Sequence, residues 1–228
     1  MSLKLATYNI HRAVGSDGRM DPDRIARVVL ELDADVVALQ EVGFGSEVPG
    51  ALLAALGETM NAQVIEGTTL RDERGHYGNA VLTRISPTQT RHIDLSVPRR
   101  EPRGAIELDI EVADSSVQIL ATHLGLRPAE RRQQILRLLD GLQDSSAAVR
   151  VLCGDLNEWF LWGRPVRWLH RVFDRTPAPA TFPARRPRLA LDRLWVAPFG
   201  ALERVYVHDS DVARVASDHL PLVGELRF

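Results

Sequence analysis

The chain has 228 residues, 45% hydrophobic and 25% charged, with a formal net charge of −2. That length suits one large domain with a sizeable core, and the charge lacks the basic excess of a dedicated nucleic-acid binder. No apolar run approaches the roughly 20 residues of a transmembrane segment, and a lone cysteine, Cys153, excludes an internal disulfide. The opening "MSLKLATYNIH" lacks a signal-peptide pattern, so a cytoplasmic location is expected. Of the 28 basic residues only Lys4 is not arginine. This reads as a compositional bias, except where Arg clusters and bidentate phosphate contact becomes an alternative.

"LKLATYNI" (3–10) alternates and favours strand formers, which predicts a strand. In "MDPDRIARVVLELDAD", Asp21 caps, Pro22 fits the first helical position, and Ile25, Val28, Val29 and Leu32 share one face, so a helix follows. "DVVALQE" is a continuous apolar run of the buried-strand kind and completes a β-α-β unit at Glu41. A second helix is expected over 50–60, then strands in "HYGNAVLTR", "GAIELDIEV" and "SSVQILATHLG". "RPAERRQQILRLLDGL" reads as a helix, with Pro128 near its start and Ile135, Leu138 and Leu139 inside. "AVRVLCGDLNE" is another buried strand, and "LALDRLWVAP", "ERVYVHD" and "HLPLVGELRF" are the last three. "RTPAPATFPARRPR" (175–188) reads as a long ordered loop. Many strands and few helices in this order suit neither a simple parallel sheet nor a small barrel. Two packed sheets with helices outside, in one domain over 1–228, are expected.

Six strands bring a polar group to an end or into an apolar stretch: Asn9, Glu41, His123, Asp155 with Asn157, Asp192, and Asp218 with His219. Each alone has an ordinary explanation as a turn former, a solvated end or a packing residue. Together they point to one polar site, because buried charge is costly unless paired or metal-bound. Oxygen donors without a Cys/His cluster suggest Mg²⁺, Mn²⁺ or Ca²⁺ rather than zinc. Few carboxylates and retained waters suit Mg²⁺ best, with Mn²⁺ as the substitute.

In order, "TYNIH", "LQEV", "GNAVLTR", "THLG", "GDLNE", "LDRLWV" and "SDHLPLV" resemble the endonuclease/exonuclease/phosphatase superfamily over residues 7–223, and "YNIHRAVGSDGRMD" and "TFPARRPRLALDRLWV" resemble its small bacterial branch most. The resemblance implies a four-layer α/β sandwich of two packed mixed sheets flanked by helices, as in deoxyribonuclease. It implies a divalent-metal-dependent phosphoester hydrolase, foremost a phosphodiesterase. Glu41 would be the principal metal ligand, with Asn9 beside it and Asp218 near the metal. Asp155 would orient or deprotonate the attacking water, and Asn157 would hold a phosphoryl oxygen. His219 would contact the phosphate, with Asp192 fixing its tautomer. His123 matches the "TH" of the deoxyribonuclease and sphingomyelinase branches. Arg103 and Asn79 are candidate substrate contacts.

The implied partner is a phosphoester, with nucleic acid or a phospholipid headgroup as variants, and no stable protein partner is expected. A nuclease of low sequence specificity is the alternative activity, and a non-catalytic binding module on the same fold is a third reading. All four Trp residues, Trp159, Trp162, Trp168 and Trp195, lie close together, and 158–191 holds seven Arg against Glu158 and Asp174. Following "GDLN" directly, this stretch is expected to overhang the site and suits nucleic acid or an anionic lipid surface. The alternative is a helix packing its aromatic residues on the core with Arg in solvent.

Overall fold

The structure is a computed structural model that describes residues 2–44, 49–72, 75–143 and 145–228. The chain runs β1 (Ser2–Asn9), α1 (Pro22–Leu32), β2 (Val36–Phe44), α2 (Pro49–Met60), β3 (Gln63–Asp72), β4 (Gly75–Thr83) and β5 (Gln89–Asp94). It continues through β6 (Gly104–Val112), β7 (Ser115–His123), α3 (Pro128–Gln143), β8 (Val149–Asp155) and α4 (Arg164–Leu169). It ends with β9 (Asp192–Ala197), β10 (Leu202–Val207), α5 (Ala213–Ala216) and β11 (Leu222–Arg227).

The strands form a six-stranded sheet, β10-β11-β1-β2-β4-β3, and a five-stranded sheet, β5-β6-β7-β8-β9. Both are mixed: β1–β2 and β7–β8 are parallel, while their other neighbours run antiparallel. Alternation of side chains along each strand sorts the core into three apolar layers. Ala6, Tyr8, Leu39 and Leu82 meet Ile25, Val28 and Val29 of α1 on one outer side. Leu3, Leu5, Ala38 and Val81 meet Ile119, Val151, Cys153 and Leu194 between the sheets. Leu120, Leu152 and Trp195 meet Ile135, Leu138 and Leu142 of α3 on the other outer side. The result is a four-layer α/β sandwich of two mixed sheets between helices.

α1 begins where Asp21 accepts from the Arg24 amide at 3.2 Å and ends at Asp33, which is left-handed at φ 42°. β3 and β5 were not expected from sequence. Both are edge strands, and β5 is exposed along almost its whole length; an edge needs no apolar alternation to pair on one side. β11 starts at Leu222 rather than His219. Pro221 has no amide for the ladder, and the preceding residues pair with a loop instead, with Ala184 N donating to Asp218 O at 2.7 Å and Leu220 N to Thr181 O at 2.9 Å.

Candidate active site

The period of two that builds the central layer also builds the site. Leu3 and Leu5 are followed on the same face by Thr7 and Asn9; Ile119 and Ala121 by His123; Val151 and Cys153 by Asp155. Asp192 precedes Leu194 and Val196 in the same way, at the first position of β9 rather than inside the strand. The register pairs Asp155 with both His123 and Asp192. Polar residues from both sheets therefore cap one end of the central apolar layer, where Asn9 Nδ2 reaches across the sheets to Asp155 Oδ2 at 3.0 Å.

Local backbone features aim these groups. Gly154 has φ +142°, and a Cβ there would lie 1.8 Å from Thr122 O, so only glycine lets β8 approach β7 just before Asp155. Glu41 lies within the register shift between β2 and β4, from Leu39 to Val42, and is left-handed at φ 58°. Asn157 is left-handed at φ 50°. Non-glycine residues held in this region are strained and persist where the surroundings over-determine them. For Asn157 the surroundings are explicit. Its amide N donates to Asp155 Oδ1 at 2.9 Å, and its side-chain Nδ2 donates to Leu124 O at 2.9 Å and to His123 Nε2 at 3.0 Å.

Asn9 links two acids, donating to Glu41 Oε1 and to Asp155 Oδ2, each at 3.0 Å. His11 N donates back to Asn9 Oδ1 at 3.0 Å, which fixes the amide orientation. Asp155 Oδ2 also lies 3.6 Å from His123 Nε2 and 3.7 Å from His219 Nε2. The other nitrogen of His219, Nδ1, donates to Asp192 Oδ2 at 2.8 Å. Burial works against charge on His219, but the Asp192 and Asp155 carboxylates more than reverse it and raise the imidazole to about 10. Burial and the Arg103 guanidinium push His123 the other way, down to about 3.

Thr181 Oγ1 donates to the same Asp192 oxygen that holds His219, and the Phe182 ring lies 4.8 Å from the His219 ring, centroid to centroid. Ser217 Oγ donates to Asn9 O at 2.7 Å and accepts from His219 N at 3.3 Å. Thr181 and Ser217 were not singled out in the sequence. Ser217 stands in the quoted "SDHLP", so its signal was adjacency, whereas Thr181 lies in a Pro/Arg-rich loop with no motif.

The remaining expected residues are placed less centrally. Asp218 turns its carboxylate toward His11, with Oδ1 3.7 Å from Nδ1, and is partly exposed. Arg103 is buried, pairs with Glu101 at 3.0 Å and approaches His123 Nδ1 at 3.4 Å, while its Nε has no partner. A neutral imidazole accepts on one nitrogen only. The shorter Asn157 contact assigns that role to Nε2, which leaves the Arg103 guanidinium without an acceptor on His123. Asn79 donates to Gly104 O at 3.1 Å and lines a cleft of about 250 Å³ together with Arg103.

Asp155, Asp192 and His219 each offer a ligand atom, all within 4.8 Å of one another. Glu41, bridged to Asp155 by the Asn9 amide, adds a further oxygen donor at the same end of the sandwich. Carboxylates gathered around one amide, with hard oxygen donors and no thiolate, fit a divalent cation.

A family model described as the endonuclease/exonuclease/phosphatase family matches residues 6–219. The chain is 30% identical over 252 aligned positions to uncharacterized protein YbhP of Escherichia coli (strain K12), covering 100% of this chain and 97% of that protein. It is similar to the endonuclease/exonuclease/phosphatase from Beutenbergia cavernae DSM 12333, with a TM-score of 0.79 and 26% identity over 100% of this chain and 72% of that one. D. rerio TDP2 complexed with single strand DNA product shares the fold, with a TM-score of 0.73 and 15% identity over 100% of this chain and 99% of that one. A family match over nearly the whole chain and a sandwich carrying polar strand ends from both sheets lead to one assignment: the chain belongs to the endonuclease/exonuclease/phosphatase family.

Proposed function

We propose that this chain hydrolyses phosphoesters with the help of a divalent cation, Mg²⁺ or Mn²⁺, and acts as a phosphodiesterase. The observation that carries this reading is the convergence of Asn9, His123 and His219 on one oxygen of Asp155, at 3.0, 3.6 and 3.7 Å. A carboxylate so placed can orient and deprotonate a water, while the adjacent imidazolium faces the position where negative charge develops.

Two places suit the cation, and proton bookkeeping separates them. At Asp155, Asp192 and His219 a metal would displace the proton that the two acids hold on the imidazole. Glu41 loses nothing of that kind, so we assign the metal to Glu41, with Asn9 beside it as the amide that orients its carboxylate. Bound there, the ion would supply Lewis-acid stabilisation of the phosphoryl oxygens. Asp192 holds the His219 ring through Nδ1 and leaves Nε2 to donate to a phosphoryl oxygen. Asn157, whose two side-chain amide protons go to Leu124 O and His123 Nε2, positions His123 rather than holding a phosphoryl oxygen. Arg103, beside His123, would receive the substrate's negative charge. Asp218 and Asn79 border the site without entering this scheme.

The test is turnover of a chromogenic bis-phosphodiester with Mg²⁺ or Mn²⁺, alongside plasmid and single-stranded DNA. Asp155→Ala and His219→Ala should each lose activity by about 10²-fold or more. Unchanged activity in both variants would overturn the assignment. The second reading, a nuclease of low sequence specificity, is supported by an arginine-lined cleft beside α4. DNA cleavage exceeding diester turnover would establish it.

A further inference from the structure

The residues after Asn157 leave the site and turn into water. Trp159, Phe160, Leu161 and Trp162 are 62%, 55%, 52% and 67% exposed, and Leu126, on the loop after β7, is 71% exposed. Of nine exposed large hydrophobic residues among those described, five lie on these two loops. Contiguous apolar exposure of this kind marks an interaction surface.

The apolar tip rests on a fixed base. Buried Glu158 accepts from Arg131 Nε at 3.3 Å and from Phe160 N at 3.2 Å. Arg131 also donates to Leu126 O at 2.7 Å, which ties the two loops together. Gly163 N closes the turn on Phe160 O at 3.2 Å, and a Cβ on Gly163 would lie 2.9 Å from the Glu158 carboxyl carbon. The Phe160 and Trp162 rings lean on each other at 5.7 Å.

Beside the tip is a cleft of about 530 Å³ lined by Arg164, Arg167, Trp168, His170, Arg171 and Arg175. No carboxylate lines it, and none of its four guanidinium groups forms an ion pair among the described residues. We propose that the 158–163 loop and this arginine cleft together dock the protein on an anionic phospholipid bilayer. The apolar tip enters the acyl boundary, and the guanidinium groups engage lipid phosphates.

Segregation decides for a bilayer over single-stranded nucleic acid. Strand-binding grooves space aromatic rings among basic residues along a track. Here the exposed apolar residues form one block that includes a leucine, the arginines begin only after it, and Trp168, the indole set among them, is partly buried. Burial, and after it Arg175 and Arg193, hold His170 below its ordinary value.

This inference does not depend on the catalytic reading, because its test is binding. The full chain is sedimented with vesicles of phosphatidylcholine alone, or of phosphatidylcholine and phosphatidylglycerol in equal parts. Binding to the mixed vesicles with a blue shift of tryptophan emission is expected. Trp159→Ser with Trp162→Ser should lower partitioning about tenfold or more. Arg167→Glu with Arg171→Glu should remove the preference for anionic vesicles. Leu161→Ser repeats the first test should the double variant fail to fold, which thermal unfolding reports. The proposal fails if neither vesicle is bound, if the folded variants bind undiminished, or if a single-stranded oligonucleotide is bound in preference to vesicles.

Discussion

His123 and His219 face the same oxygen of Asp155, at 3.6 and 3.7 Å, yet their partners on the far side are opposite in sign. Behind His219 stands the Asp192 carboxylate at 2.8 Å, and behind His123 the Arg103 guanidinium at 3.4 Å. Against the pull of burial, the acids raise His219 to about 10; burial and Arg103 lower His123 to about 3. Near neutral pH one ring is therefore a cation and the other a neutral acceptor. Environments that push two titratable groups apart divide acid and acceptor roles within one site.

Removing the carboxylate behind His219 tests its positioning role. Asp192→Asn should lower kcat by about 10²-fold with a smaller effect on KM. It should also move the alkaline limb of the pH–rate profile from about 10 toward the ordinary imidazole range. An unmoved limb would remove Asp192 as the group that charges His219.

His123 makes a prediction about acid stability. Its folded-state value is lowered to about 3, so the unfolded chain binds the proton first. The contribution is whole above the ordinary imidazole value of roughly 6.5 and drains away as pH falls from there toward the folded value. His123→Gln should flatten this part of the stability curve, measured by urea unfolding at neutral and at mildly acidic pH.

Gly154 should not tolerate a methyl group. With φ +142° and a Cβ site 1.8 Å from Thr122 O, Gly154→Ala forces β8 away from β7 at Asp155. A loss of about 3 kcal/mol or more is expected, read as a lowered denaturation midpoint together with lost turnover.

The metal assignment is testable without substrate. Mn²⁺ or Mg²⁺ should raise the thermal unfolding temperature of the native chain and EDTA should reverse the rise. At a hundredfold excess over Kd the gain is about 2.7 kcal/mol. Glu41→Gln should abolish the rise while leaving the metal-free unfolding temperature nearly unchanged.

Arg131 and Glu158 form a buried pair. Arg131→Met leaves a carboxylate without its cation and should cost about 3 kcal/mol. The double variant with Glu158→Gln should recover part of that loss, which a double-mutant cycle by urea unfolding measures.

Much of the sandwich and the cluster's membership was legible because one rule governs both. Asn9, His123 and Asp155 continue the alternation of the apolar residues before them, so a strand pattern and a polar end identify them together. The edge strands β3 and β5 escaped because an edge lacks the two-sided burial that writes a pattern. The turn at Glu41 escaped because a β-bulge has no composition of its own in "LQEV". Thr181 reaches Asp192 from a loop, and no local regularity announces a contact made over that distance. The Trp-rich stretch divides: Trp195 is buried against α3 residues, Trp168 is partly buried, and Trp159 and Trp162 face solvent.

The Asn9–Asp155 bond spans the two sheets, and this makes the site a readout of assembly. Neither sheet alone carries a complete set of groups, since Glu41 and Asn9 belong to one and His123, Asp155 and Asp192 to the other. On the proposed mechanism, a folding species with only one sheet formed would be chemically silent. Recovery of turnover during refolding should lag the growth of β-structure and coincide with closure of the apolar layer between the sheets.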